Sequence, residues 1–316
     1  MSTTLTRPRR AATSTRSDSP ASDVYQLITD QIIEMLDAGT APWHQPWRNA
    51  SGGSSFPRSL STGKPYRGIN PFLLQVTAIS KGYASPWWGT YDQISGRGGQ
   101  VRKGEKSTMI VFWKRYVRKA RNVGEEDHES YVLRYFKVFN TEQADGLTLP
   151  PVPGSVPNTP EEFDPIAECE AAVAAYYADN GPELIYGGNS ASYSPSADIV
   201  RMPERSTFES PERFYGTWFH ETTHSTGHKD RLARQDLLTF HKFGDPNYSR
   251  EELVAEMGAA FLSGLTGIDA VTLSSSASYL ESWMRVLRGD KKLVITAARQ
   301  AQRAADLILG IKYDTE

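Results

Sequence analysis

Between residues 22 and 38, apolar Val24, Leu27, Ile28, Ile32, Met35 and Leu36 recur at spacings that gather them on one side of a helix. Ser22 before the run and Gly39 after it read as its cap and its stop. A second apolar stretch, "PFLLQVTAISKG", predicts a helix with Pro71 in its first turn, where a missing N–H leaves no bond unmade. The period then changes. "STMIVFWKRYVRK" and "SYVLRYFKVFN" are rich in β-branched and aromatic residues, and the polar "ARNVGEEDHE" between them predicts an antiparallel strand pair.

Six prolines in "LTLPPVPGSVPNTPEEFDP" (147–165) remove donors and stiffen the backbone, so this stretch reads as a semi-rigid linker. Beyond it the pattern is mostly helical. "IAECEAAVAAYYADNG" predicts one helix, and "SPERFYGTWFHETTHSTG" predicts another, with Ser210 as cap, Pro211 at the first position and Gly227 as stop. Three more are expected over "SREELVAEMGAAFLSG", "SASYLESWMRVLRG" and "KKLVITAARQAQRAADLILG", while "ASYSPSADIVRMPE" reads as a short hairpin or edge strand broken by Pro195. The expected architecture is α+β in two domains. A tail over 1–21 is expected to be disordered, an α+β domain to span 22–146, the linker 147–165, and a mainly helical domain with a small sheet 166–316.

Composition sharpens this division. The chain of 316 residues has no apolar run near the length of a membrane helix, and its N-terminus is rich in Ser, Thr and Arg without the apolar core of a secretion signal. A cytoplasmic protein with no membrane partner is expected. The single Cys169 excludes an intramolecular disulfide framework and a cysteine zinc ribbon, and its helical neighbours mark it as a small core residue. Residues 1–150 carry 20 Lys and Arg against 13 Asp and Glu, whereas residues 151–316 carry 15 against 24. Halves of opposite sign suggest separate tasks.

Three of the six histidines fall within "HETTHSTGH". His220, Glu221 and His224 form H-E-x-x-H on a predicted helix, where a spacing of four sets both imidazoles on one face to converge on one Zn²⁺ or another divalent ion such as Mn²⁺. Glu221, one position on, is the candidate catalytic base for a metal-bound water. A third ligand is needed. Asp230 completes H-E-x-x-H-x-x-G-x-x-D, close to the metzincin pattern, although Met257 lies in a predicted helix rather than in the methionine turn that pattern requires. Glu252 and Glu256 share a face of a later helix beside small Ala255, Ala259 and Ala260, in the gluzincin manner. Glu252 is favoured as ligand with Glu256 behind it; the roles exchange if Ser249 and Glu252 form a capping box. His228 reads as a surface or supporting group, His241 as a solvated loop residue, and Tyr193 as a packing tyrosine that could reach an oxyanion.

The basic half interleaves cations with aromatics: Trp43, Trp47 and Arg48; Lys64, Tyr66 and Arg67; Trp87, Trp88 and Tyr91; Arg97, Arg102, Lys103 and Lys106; Trp113, Lys114, Arg115 and Tyr116. That mixture suits single-stranded nucleic acid, because cations follow phosphates and aromatic faces stack on any base. The competing reading puts the Trp87–Trp88 pair in the core. "SGRGGQVRKGEK" adds backbone donors but lacks the ending of a P-loop.

"APWHQPW", "YRGINPFLL", "WGTYDQI", "VRKGEKST" and "YFKVFNTEQ" resemble the N-terminal domain of ArdC-type antirestriction proteins, and "FHETTHSTGHKDRLAR" with "REELVAEMGAAFL" resembles their zincin-like metallopeptidase domain. The resemblance spans roughly residues 22–310. It implies a protein that binds entering single-stranded DNA and protects plasmid DNA from host restriction, with His220 and His224 as ligands, Glu221 as base and a glutamate of the later helix as third ligand. Two other readings stand beside it: a DNA-directed metalloprotease acting on DNA-bound proteins, and a DNA-binding protein whose metal is purely structural.

Overall fold

The computed structural model describes residues 23–44, 56–118, 128–151, 165–239, 246–268 and 277–312. The expected tail 1–21, Ser22, Trp47, Arg48, His241 and residues 152–164 of the expected linker lie outside the described residues.

Helix α1 (Val24–Asp37) buries Ile28, Ile32 and Leu36 on one face, and Asp23 rather than the expected Ser22 caps it, its carboxylate accepting from the Tyr25 N–H at 3.1 Å. A 3-10 turn (Pro42–His44) follows. Then come strand β1 (Arg58–Ser59), helix α2 (Asn70–Lys81), strand β2 (Trp87–Gly89), helix α3 (Tyr91–Ser95) and strands β3 (Gln100–Val101), β4 (Thr108–Arg118), β5 (His128–Asn140) and β6 (Ala144–Asp145). The expected strand pair is the long hairpin β4–β5, with Ile110 opposite Phe136 and Phe112 opposite Arg134. It is widened into a sheet of order β1-β2-β5-β4, in which β1 and β2 run parallel and the other neighbours antiparallel. Strands β3 and β6 form their own ladder. The outer edge of β4 is partly covered. Asn70 donates from Nδ2 to the Val111 carbonyl at 2.7 Å and accepts the Val111 N–H at 2.8 Å, so one side chain occupies the place of a neighbouring strand.

The C-terminal half holds α4 (Pro165–Asp179), β7 (Glu183–Tyr186), β8 (Ser192–Ser194), β9 (Ile199–Met202), α5 (Pro211–Ser225), α6 (Gln235–Thr239), α7 (Pro246–Thr266), α8 (Ala277–Gly289) and α9 (Leu293–Ile308). The hairpin expected around Pro195 is β8–β9, and β7 adds to it in parallel to give the order β7-β9-β8. Helix α5 starts as its sequence predicts, with Ser210 Oγ accepting from the Arg213 N–H at 3.3 Å. Its end differs. Thr226 caps it in a right-handed conformation, and Gly227 instead makes room for Arg234, whose guanidinium would lie 2.8 Å from an added Cβ. The capping box over Ser249 and Glu252 is also absent, because α7 already begins at Pro246 and Ser249 Oγ bonds to Ser282 Oγ on α8 at 2.6 Å.

One apolar cluster runs through both halves. It joins Ile28, Ile32, Trp43 and Phe72 to Phe261, Trp283, Val294 and Ala298, and takes in Cys169. Trp43 meets Trp283 edge-on at 5.3 Å and Phe72 stacks on Phe261 at 4.8 Å. Polar contacts follow the same seam: Thr29 donates to the Lys291 carbonyl at 2.8 Å, and Arg67 pairs with Asp306. Among the described residues no helix is long and apolar enough to cross a membrane.

Candidate metal centre and nucleic-acid interface

Helices α5 and α7 cross at Gly258, where an added Cβ would lie 2.5 Å from Thr223 Cγ2. This close approach sets α7 against the histidine face of α5. His220 Nε2 and His224 Nε2 are 3.1 Å apart, and the Glu252 carboxylate lies 3.6 Å from the first and 3.3 Å from the second. All three side chains are buried, and their ligand atoms form a group able to hold one ion. Three ligand atoms on a tetrahedral ion about 2.1 Å from each would stand about 3.4 Å apart, so the observed spacing fits a divalent metal.

Each member has support behind it. Glu251 Oε1 lies 3.1 Å from His224 Nδ1, and Arg234 Nε donates to Glu251 Oε2 at 2.9 Å. Glu256 Oε1 lies 3.8 Å from His220 Nδ1, and Glu256 Oε2 lies 3.1 Å from His44 Nε2. Burial works against protonation of both ligand imidazoles, yet hydrogen bonds to Glu251 and Glu252 raise His224 to about 10, and Glu252 raises His220 above its ordinary value. Burial likewise works against the carboxylate charges. Arg234 nonetheless holds Glu251 below the usual range, and the two imidazoles do the same for Glu252. The pocket therefore favours positive charge at its centre, as a cation site should.

Glu221 is buried beside His220 and its side chain makes no hydrogen bond or ion pair among the described residues. Asp230, the rival third ligand, falls outside the cluster: its side chain is 71 % exposed and lies by His228 and Lys229. His228 is buried rather than superficial, and its Nδ1 accepts the Asp230 N–H at 3.4 Å. Tyr193 is already engaged, donating to Asp198 Oδ1 at 2.8 Å and accepting from Arg231 at 3.2 Å. Sequence reasoning missed Glu251, Arg234 and His44. Only the adjacent acids of "REEL" hinted at the first.

The candidate DNA-binding residues divide. Trp43, Trp87 and Trp88 are corrected: all three are buried, so no ring face is open to a base. Adjacent residues on β2 point to opposite sides of the sheet, and both sides are covered, Trp88 by Leu74, Ile110 and Val138, Trp87 by Leu60, Ile94 and Val101. Tyr66 is half-buried against the Trp88 cluster, burial raising its hydroxyl to about 12, and Arg67 is tied to Asp306. Arg102 pairs with Glu105 and Asp145, bracing the β3–β6 ladder. Lys64, Arg97, Lys103, Lys106 and Lys114 are exposed, whereas the Arg115 side chain lies outside the described atoms.

Other aromatic rings and cations of the basic half lie on the β4–β5 hairpin. On one face of the β4–β5 hairpin, Phe112 stacks on Phe136 at 4.4 Å, Arg134 donates to the Tyr116 hydroxyl at 3.1 Å, and Lys114 lies 5.4 Å from the Tyr116 ring. Trp113, Tyr131 and Tyr135 are exposed on the other face. Near the hairpin base, a cleft of about 620 Å³ is walled in part by Lys81, Tyr83 and Lys106.

Residues 22–139 match the family described as the N-terminal domain of anti-restriction factor ArdC, and residues 171–300 match the zincin-like metallopeptidase family. The chain is 35 % identical over 310 residues to the uncharacterized protein y4eC of Sinorhizobium fredii, covering 96 % of this chain and 97 % of that one. It is 34 % identical over 311 residues to a DNA primase TraC of Escherichia coli, covering 93 % of this chain but 20 % of that longer protein. Among solved structures it is similar to the antirestriction ArdC protein from the R388 plasmid. The metal-free form is 39 % identical with a TM-score of 0.71, covering 90 % of this chain and 96 % of that one. The Mn(II)-bound form is 38 % identical with a TM-score of 0.71, covering 93 % and 100 %.

Proposed function

The chain belongs to the ArdC family of anti-restriction factors, and from that premise we propose that it binds single-stranded DNA, protects incoming plasmid DNA from host restriction, and holds zinc or manganese in its second half. The observation that carries the DNA reading is the exposed aromatic and cationic face of the β4–β5 hairpin. Phe112 and Phe136 offer ring surface to bases, and Lys114 and Arg134 offer charge to the phosphates beside them; each stacked base contributes about 1 to 3 kcal/mol whatever its identity. The test is anisotropy titration of the full chain with a labelled oligonucleotide. Phe112→Ala with Phe136→Ala should weaken single-strand binding at least about tenfold, and wild-type affinity should fall steeply with salt. Equal, salt-insensitive binding to single and double strands would end this reading.

His220, His224 and Glu252 would hold the metal, leaving a fourth position open as in catalytic rather than closed structural sites. A divalent ion bound there supplies an acidified water and polarises a carbonyl. Glu221 is the group that would hold the proton taken from that water, its carboxylate being committed to no other partner among the described residues. This supports a second reading, metalloprotease action on proteins bound to DNA. Glu221→Gln separates the two: retained plasmid protection with intact DNA binding supports protection by binding alone, and lost protection with intact DNA binding supports proteolysis.

A further inference from the structure

The metal centre has a contributor from the other half of the chain. His44, in the 3-10 turn after α1, approaches Glu256 on α7 with Nε2 3.1 Å from Oε2, across 212 residues of sequence. We propose that His44 is a positioning residue for the metal centre, fixing the Glu256 carboxylate and through it the His220 imidazole. This rests on the metal reading above and extends it to the N-terminal half.

The chain of contacts has a direction. When His220 Nε2 is a ligand, the ring proton resides on Nδ1, and a ligating histidine is oriented by the carboxylate or carbonyl that takes this proton. His220 Nδ1 is buried, has no hydrogen-bond partner, and faces Glu256 Oε1 at 3.8 Å. Glu256 is therefore the carboxylate placed to take the proton, and the position of its two oxygens decides how the His220 ring is turned. One oxygen is turned toward His220 and the other is held by His44. His44 itself is confined. Its side chain is 9 % exposed, and its ring lies edge-on to Trp43 at 6.3 Å and to Trp283 at 5.9 Å. The tryptophans Trp43 and Trp283 also join the two halves, so the docking of the halves and the geometry of the site share the same side chains. Metal binding and the seating of the 3-10 turn are consequently linked, each favouring the other.

The test uses the full chain and zinc, titrated against a chromophoric chelator, with cobalt absorption as a report on ligand geometry. His44→Phe keeps a ring between the tryptophans and removes the donor, while His44→Gln retains an N–H near the Nε2 position. His44→Phe should weaken zinc binding about 10- to 100-fold and alter the cobalt spectrum, whereas His44→Gln should stay within about threefold of wild type. In a Glu256→Gln background, His44→Phe should cause little further loss, since both changes break one path. If His44→Phe does not fold, His44→Asn, whose amide is too short to span the gap, replaces it in the comparison. Unchanged zinc affinity in a folded removal variant, equal weakness in His44→Gln, or additive losses would overturn the proposal while leaving the metal site standing. A wild-type chain that binds neither zinc, cobalt nor manganese would overturn both.

Discussion

Gly258 on α7 lies against Thr223 on α5 so closely that a methyl group there would stand 2.5 Å from Thr223 Cγ2. Glycine inside a helix costs about 1 kcal/mol relative to alanine, so its presence here has a packing reason. Thr223 cannot turn away freely, because its hydroxyl donates to the Phe219 carbonyl at 2.7 Å. Gly258→Ala should destabilise the metal-free protein by about 1 to 3 kcal/mol in urea, against its helix propensity, and should weaken zinc binding by moving Glu252 from His224. An alanine variant more stable than wild type would contradict this account of the crossing.

Residues 22–150 alone should not fold stably. That fragment leaves Ile28, Ile32, Trp43 and Phe72 without the α7, α8 and α9 side chains that cover them. Each large apolar side chain taken out of water contributes about 1.5 to 3 kcal/mol, so four together approach the whole stability of an ordinary domain. Circular dichroism and thermal scans of the fragment should show no cooperative transition. The intact chain should melt in one.

Arg234 and Glu251 form a buried pair behind His224. Removing the guanidinium leaves a carboxylate at 1 % exposure facing only an imidazole, and Arg234→Met should cost about 3 to 5 kcal/mol. Glu251→Gln in the same chain should restore part of that loss, since an amide carries no unpaired charge. Chemical denaturation of the two variants and the double variant measures both effects.

Asp198 turns the β8–β9 hairpin at φ 54° and binds Arg231 and Tyr193. Burial raises its carboxyl, but these partners hold it below the ordinary value of 3.8. A depressed carboxyl contributes stability that is present above the unfolded value and lost as pH falls through the folded one. Asp198→Asn suits the same left-handed backbone, so its melting temperature should fall below that of wild type at neutral pH. The gap should narrow as pH drops below about 4. A gap independent of pH would mean that charge plays no part.

The legible part of this protein was its local part. His220 and His224 could be read as a pair because a spacing of four residues sets side chains on one helix face, and Glu252 and Glu256 could be read as another, but which glutamate meets the histidines depends on how α7 crosses α5. His44 did not, since its partner is 212 residues away and no periodicity reports a tertiary contact. The tryptophans misled for a related reason. Composition counts aromatic rings without knowing which are covered, and Trp87 and Trp88 occupy a three-residue strand too short to show its two buried sides. The exposure of Tyr131, Tyr135 and Phe136 in "SYVLRYFKVFN" was not legible either, because alternation along a strand reports which residues share a face and not whether that face is covered.

The Trp43–Trp283 and Phe72–Phe261 contacts also bear on inheritance. A recombination crossover between the two halves would bring together rings shaped by different ancestors, one from each parent. Such a hybrid begins life with a misfitted joint beside its histidines, so descent should favour passing this chain on as a single block.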